Sequence, residues 1–221
     1  RSIVEQSLGA LIYSGGDDVL AMLPVARAVD CADALRREFA KTMDTAGLPA
    51  GTERPTLSVG IGIGHVMESM GDLLNLAREA EREAKKERNS LAIIVDRRSG
   101  GRRVWASPWT DDPKARLSND ASLLRGKLSN RKVYEVASIL RRLPAPSTAA
   151  QGSEWAALLC GEVRRALARS GEEGMTLEEA SLALSETDYA ASYAEVERWV
   201  NRLLVASFLG AADRSRSKVA P

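Results

Sequence analysis

Apolar positions in the first half of the chain fall into short runs separated by stretches with helical spacing. Residues 8–14 and 19–25 are two such runs joined by Gly15-Gly16-Asp17-Asp18. Glycine and aspartate tolerate the positive φ angles of a tight turn, so this segment predicts an antiparallel hairpin. From 26 to about 43, Val29, Ala32, Leu35, Phe39 and Met43 recur at helical spacing, with Arg36, Arg37 and Lys41 opposite, which predicts an amphipathic helix. Gly47-Leu48-Pro49 opposes its continuation. Residues 56–64 alternate strictly, with Leu57, Val59, Ile61 and Ile63 on one face and Ser58, Gly60, Gly62 and Gly64 on the other. That pattern predicts a strand with an aliphatic core face and a nearly bare one. Residues 72–88 read as helix, 90–95 as an apolar strand, and 97–103 as a basic turn leading to Val104 and Trp105. Four strands and two intervening helices predict an antiparallel or mixed sheet with helices on one face, an α+β arrangement.

After Trp109 the character changes. Residues 115–209 show only helical periodicity, broken at Pro144-Ala145-Pro146-Ser147 and at 170–174, and Trp155, Tyr189, Tyr193 and Trp199 are its expected core aromatics. Thr176 followed three residues later by Glu179 has the form of a capping box. The chain therefore divides into an α+β domain at 1–109, an all-α helical bundle at 110–210, and an expected mobile tail at 211–221.

Composition narrows the function classes. The 221 residues carry 31 Lys and Arg against 30 Asp and Glu, so the chain as a whole lacks the positive field of a protein held to nucleic acid by charge. Any such contact is local. Cys31 and Cys160 stand alone, without zinc or disulfide spacing, and read as small buried apolar residues in a reducing cytosol. No apolar run reaches the roughly 20 residues that span a bilayer, and no signal-peptide pattern opens the chain. A cytoplasmic protein with no membrane partner is expected. Because the first residues look like the tail of a helix running into a strand, a C-terminal fragment of a longer protein is expected too.

The chemistry concentrates at the hairpin. Asp17 and Asp18 are adjacent carboxylates, which repel unless a cation lies between them or water solvates them. Hard cations such as Mg²⁺ and Mn²⁺ take oxygen ligands and complete their shells with phosphates and water, so the pair could begin a phosphoryl-transfer site. Gly15 and Gly16 would let backbone pass close beneath a nucleotide. The same four residues also make an ordinary solvated turn. Lys85 could neutralise a triphosphate or simply lie on a solvated Glu and Lys face, and Ser14 could meet a nucleotide or be a bland strand-end serine. The glycine face of 56–64 lacks the loop and distal acid of a dinucleotide fold and suits a closely packed helix or room for a base. His65, the one histidine, reads as structural. Two basic clusters, Arg97, Arg98, Arg102 and Arg103, then Arg125, Lys127, Arg131 and Lys132, suit RNA or a protein neighbour as well as they suit solvent.

Taken in order, Tyr13-Ser-Gly-Gly-Asp-Asp-Val-Leu-Ala-Met-Leu-Pro, Leu57-Ser-Val-Gly-Ile-Gly-Ile-Gly-His65, Glu83-Ala-Lys-Lys, Asn89-Ser-Leu-Ala-Ile and Arg97-Arg-Ser-Gly resemble the second palm domain of the large subunit of type III CRISPR effector complexes, Cmr subtype (type III-B). The resemblance covers about the first half. It implies a ferredoxin-like or nucleotide-cyclase-like palm lacking its first strand, followed by the family's helical C-terminal domain. It also implies that the Gly-Gly-Asp-Asp palm binds ATP as substrate with Mg²⁺ or Mn²⁺ and makes cyclic oligoadenylate when target RNA pairs with guide RNA. Asp17 and Asp18 would bind metal and act catalytically, and Ser14, Gly15, Gly16 and Lys85 would bind nucleotide. Other subunits of the complex, guide RNA and target RNA would be the partners. One departure stands out: the family's palm has an earlier acidic strand, and nothing before Leu8 can supply it. The chain alone is therefore expected to be inactive. A catalytically silent scaffold and a diguanylate-cyclase-like domain are the competing readings, the latter opposed by Val19 where that family has an aromatic residue.

Overall fold

The structure, a computed structural model, describes residues 1–217 except 17, 48, 50, 98–100, 147–151, 169–177 and 181. Asp17, Arg98, Thr176 and the 170–174 break thus lie outside the described residues. The elements are α1 (Ser2–Gln6), β1 (Ala10–Gly15), β2 (Asp18–Met22), α2 (Val25–Thr45), β3 (Val59–Ile63), α3 (Met70–Glu87), β4 (Ser90–Val95) and β5 (Arg103–Pro108). A 3-10 turn (Trp109–Asp111) follows, then α4 (Pro113–Gly126), α5 (Asn130–Arg142), α6 (Ser153–Ala168) and α7 (Tyr189–Ser217). The class is α+β, with strands and helices in the first half followed by an all-helical region, as the hydrophobic pattern predicts.

The strands do not join into one sheet. β1 and β2 form a two-stranded antiparallel hairpin, while β3, β4 and β5 form a separate sheet, with β3 and β4 parallel and β4 and β5 antiparallel. The expected single sheet is broken between β2 and β3, which are linked by the long α2 crossover and have no described strand between them.

The first compact unit comprises Arg1–Arg116 with the end of α7 from Leu209; the second is Leu117–Phe208. The first unit extends past Trp109 because that residue belongs to its core. The indole is buried, its Nε1 donates to the Leu57 carbonyl at 2.9 Å, its backbone amide donates to the Asn89 carbonyl at 2.9 Å, and the Arg36 guanidinium lies 5.3 Å from the ring centroid. All six β4 residues are buried, so both sheet faces are covered there rather than one.

In the second unit Val133, Val136 and Leu140 of α5, Leu159 and Val163 of α6, and Val196, Trp199 and Leu203 of α7 share one core. Tyr189 is buried and its hydroxyl donates to the Pro144 carbonyl at 2.8 Å; Tyr193 donates to Leu140 at 3.3 Å. Trp155 departs from its predicted core role: it is 39% exposed, with its ring 6.3 Å from that of Tyr189. α7 also continues helically to Ser217, through the first part of the predicted tail, where alanine and arginine favour helix.

Candidate nucleotide and metal site

The hairpin register decides which side chains share a face. Tyr13 pairs with Leu20, Ser14 with Val19, and Gly15 with Asp18, with a bulge between Leu11 and Tyr13. Because cross-strand partners point the same way and neighbours alternate, Tyr13, Gly15 and Asp18 lie on one face and Ser14 with Val19 on the other. Ser14 is thus set apart from Asp18. Gly16 takes φ of 61° with no atom within 4 Å of where its Cβ would be, so its conformation is dictated by the turn. A Cβ on Gly15 would lie 2.6 Å from the Tyr13 hydroxyl oxygen, the far end of an exposed side chain that can move aside.

Lys85 stands on a separate framework, α3 packed on β3, and not on the hairpin. A Cβ on Gly60 would lie 2.0 Å from the Glu81 amide nitrogen, and one on Gly62 would lie 2.6 Å from that of Ala77. The glycine face therefore exists to seat α3 directly on the strand, which favours the packing reading of those glycines. It is also the face turned toward the helix, whereas Val59 and Ile61 on the other side are only half-buried. α3 begins at Ser69, whose hydroxyl accepts from the Asp72 amide at 3.1 Å. Its far end is tied down by the buried Ser90, which donates to the Ala84 carbonyl at 2.5 Å, next to Lys85. Asn89 makes the reversal into β4 at φ of 40°, a left-handed conformation that asparagine tolerates. Lys85 itself lies half-exposed, its ammonium 2.5 Å from the Glu81 carboxylate.

Other candidates resolve into local structure. His65 Nδ1 accepts from the Met67 amide at 3.2 Å, fixing the turn before α3. Arg102 pairs with Glu79 at 2.7 Å, Lys127 pairs with Glu179, and Lys132 pairs with Glu135 at 2.8 Å. Cys31 and Cys160 are buried thiols, and burial pushes the Cys160 thiol above its ordinary range. Among the described residues no helix is long and apolar enough to cross a membrane.

A divalent ion was tested against the donors present. Asp18 offers an exposed hard-oxygen ligand beside an open turn, which suits Mg²⁺ or Mn²⁺, but no group of three metal-ligating side chains exists among the described residues. The hairpin fits part of a coordination shell. Sequence reasoning missed Tyr13; an aromatic two positions before a glycine on a strand was the signal available.

A glycine and acid hairpin followed by a glycine-faced strand, a lysine-bearing helix and a returning strand define a palm-type α+β domain. Residues 1–92 match the family described as Cas10/Cmr2, second palm domain, so that part of the chain is similar to that domain. The chain is also 38% identical over 112 residues to the CRISPR system Cmr subunit Cmr2 of Pyrococcus furiosus, a stretch covering 49% of this chain and 12% of that relative. It is Cmr2-like over about half its length and spans a small part of the relative.

Proposed function

We propose that this chain supplies the second palm of the large subunit of a type III CRISPR RNA-guided effector complex, which synthesises cyclic oligoadenylate from ATP when target RNA pairs with guide. The observation that carries the reading is Asp18 standing across from Gly15 at an exposed turn, within a domain that matches the Cas10/Cmr2 second palm. The relative's name makes it a Cmr subunit, which supports other Cmr subunits as partners, with guide and target RNA as part of the same proposal. Asp17 and Asp18 hold Mg²⁺ or Mn²⁺, which supplies charge neutralisation at the triphosphate when bound. Gly16 gives the turn its conformation, and Lys85 exchanges Glu81 for phosphate oxygens. An exposed pair four residues apart on a helix is worth only about 0.5 kcal/mol, so a triphosphate can displace it. The edges of β2 and β3 pair with no third strand among the described residues, which leaves room for a further acidic strand of the kind the resemblance implies.

The test is the complete complex with guide and target RNA, supplied with labelled ATP and GTP in Mn²⁺. Adenylate oligomers that vanish in Asp17→Ala and Asp18→Ala support the proposal, and guanylate dimers point to a diguanylate-cyclase-like enzyme. A catalytically silent scaffold is the second reading. Complexes that assemble but make no product with wild type would establish it.

A further inference from the structure

Resting on the nucleotide reading above, we propose that Tyr13 is the residue that receives the nucleobase, stacking it on its ring. Tyr13 is 56% exposed although it is the bulkiest side chain of the hairpin. Its hydroxyl oxygen and Cζ lie 2.6 and 3.0 Å from the place a Gly15 Cβ would take, so the tip of the ring reaches toward the turn that carries Asp18. An exposed aromatic ring offers a stacking surface to any base.

Its position selects a base rather than a phosphate. Tyr13 and Asp18 share the hairpin face, separated by Gly15, and two residues of strand span about 7 Å. A nucleotide with its phosphates at Asp18 carries its base that far away. A groove of about 450 Å³ runs along β1, lined by Leu11, Ile12, Tyr13 and Ser14 from the strand and Arg1 and Glu5 from α1, within the size range of small-molecule sites. Among the described residues no hydrogen bond engages the Tyr13 hydroxyl, which is left to meet a ribose or base edge. Tyr13 then serves the base and Asp18 the phosphates.

The experiment measures binding of ATP and of inorganic tripolyphosphate, each with Mn²⁺, to the assembled complex carrying wild type, Tyr13→Phe, Tyr13→Ala or Asp18→Ala. Tyr13→Ala should weaken ATP about tenfold and leave tripolyphosphate unchanged, since only ATP has a base to stack. Tyr13→Phe keeps the ring and should stay near wild type, and Asp18→Ala should weaken both ligands. If Tyr13→Ala leaves ATP binding intact, or weakens both ligands equally as a distorted hairpin would, Tyr13 is no base platform even though the nucleotide reading survives. Wild type that binds neither ligand overturns both.

Discussion

Gly60 and Gly16 are both glycines of the candidate site, and they are glycine for opposite reasons. At Gly60 the backbone of α3 stands where a side chain would go, the nearest atom 2.0 Å from the Cβ position, so strand and helix would have to separate. At Gly16 space is open and only φ of 61° demands glycine. Gly60→Ala should therefore cost about 3 kcal/mol or more by overpacking, and Gly16→Ala about 1 kcal/mol by left-handed strain. Urea unfolding followed through the palm unit checks the order, and equal costs would mean that α3 does not ride on the glycine face. The bareness of that face was legible in the alternation of 56–64. Which face would be buried was not, because alternation separates two faces without saying what packs on either.

Among the elements, α3 and α7 show how a helix is anchored by groups outside it. Ser90 holds the last turn of α3 through Ala84; on α7 the Arg202 guanidinium meets Asp120 of α4 at 2.6 and 3.4 Å, both side chains largely buried. Removing one partner of a buried pair leaves the other charge uncompensated, so Asp120→Ala should lower the stability of the helical unit by about 3 kcal/mol. Glu195→Ala, at the exposed Arg198 pair, should change it by less than about 0.5 kcal/mol. Thermal denaturation of the two variants separates these cases. Tyr189 and Tyr193 add a pH dependence. Burial holds both phenols protonated above the ordinary range, with smaller contributions from Tyr193 beside Tyr189 and Glu197 beside Tyr193. The unfolded chain loses these protons first as pH rises past about 10, so the native state then binds more protons and stability falls with pH. Tyr189→Phe and Tyr193→Phe together should flatten that alkaline decline, read from unfolding midpoints between about pH 9 and 11.

In the molecule as a whole two compact units coexist, each with its own core. Hydrogen exchange should show one protected set in β4 and another in α5 to α7. Gly60→Ala should raise exchange in the first set alone, and Asp120→Ala in the second alone. A loss of protection shared by both sets in either variant would show a single cooperative fold.

Most elements were readable from residue order because their signals are local. β4 was predicted to the residue at 90–95, and α2 and α3 to within two residues at each end, since periodicity and capping depend on neighbours along the chain. The α+β class and the helical second half follow from the same periodicities. What needed three dimensions were relations between distant segments: the sheet broken between β2 and β3, the Trp109 indole bonded to the Leu57 carbonyl, and Trp155 left at the surface. Tyr13, Gly15 and Asp18 come onto one face only through the strand register, bulge included, and Ser14 leaves that face for the same reason. Residue type and spacing decide what each segment prefers, but pairing and burial are settled by the competition among segments for one another's surfaces.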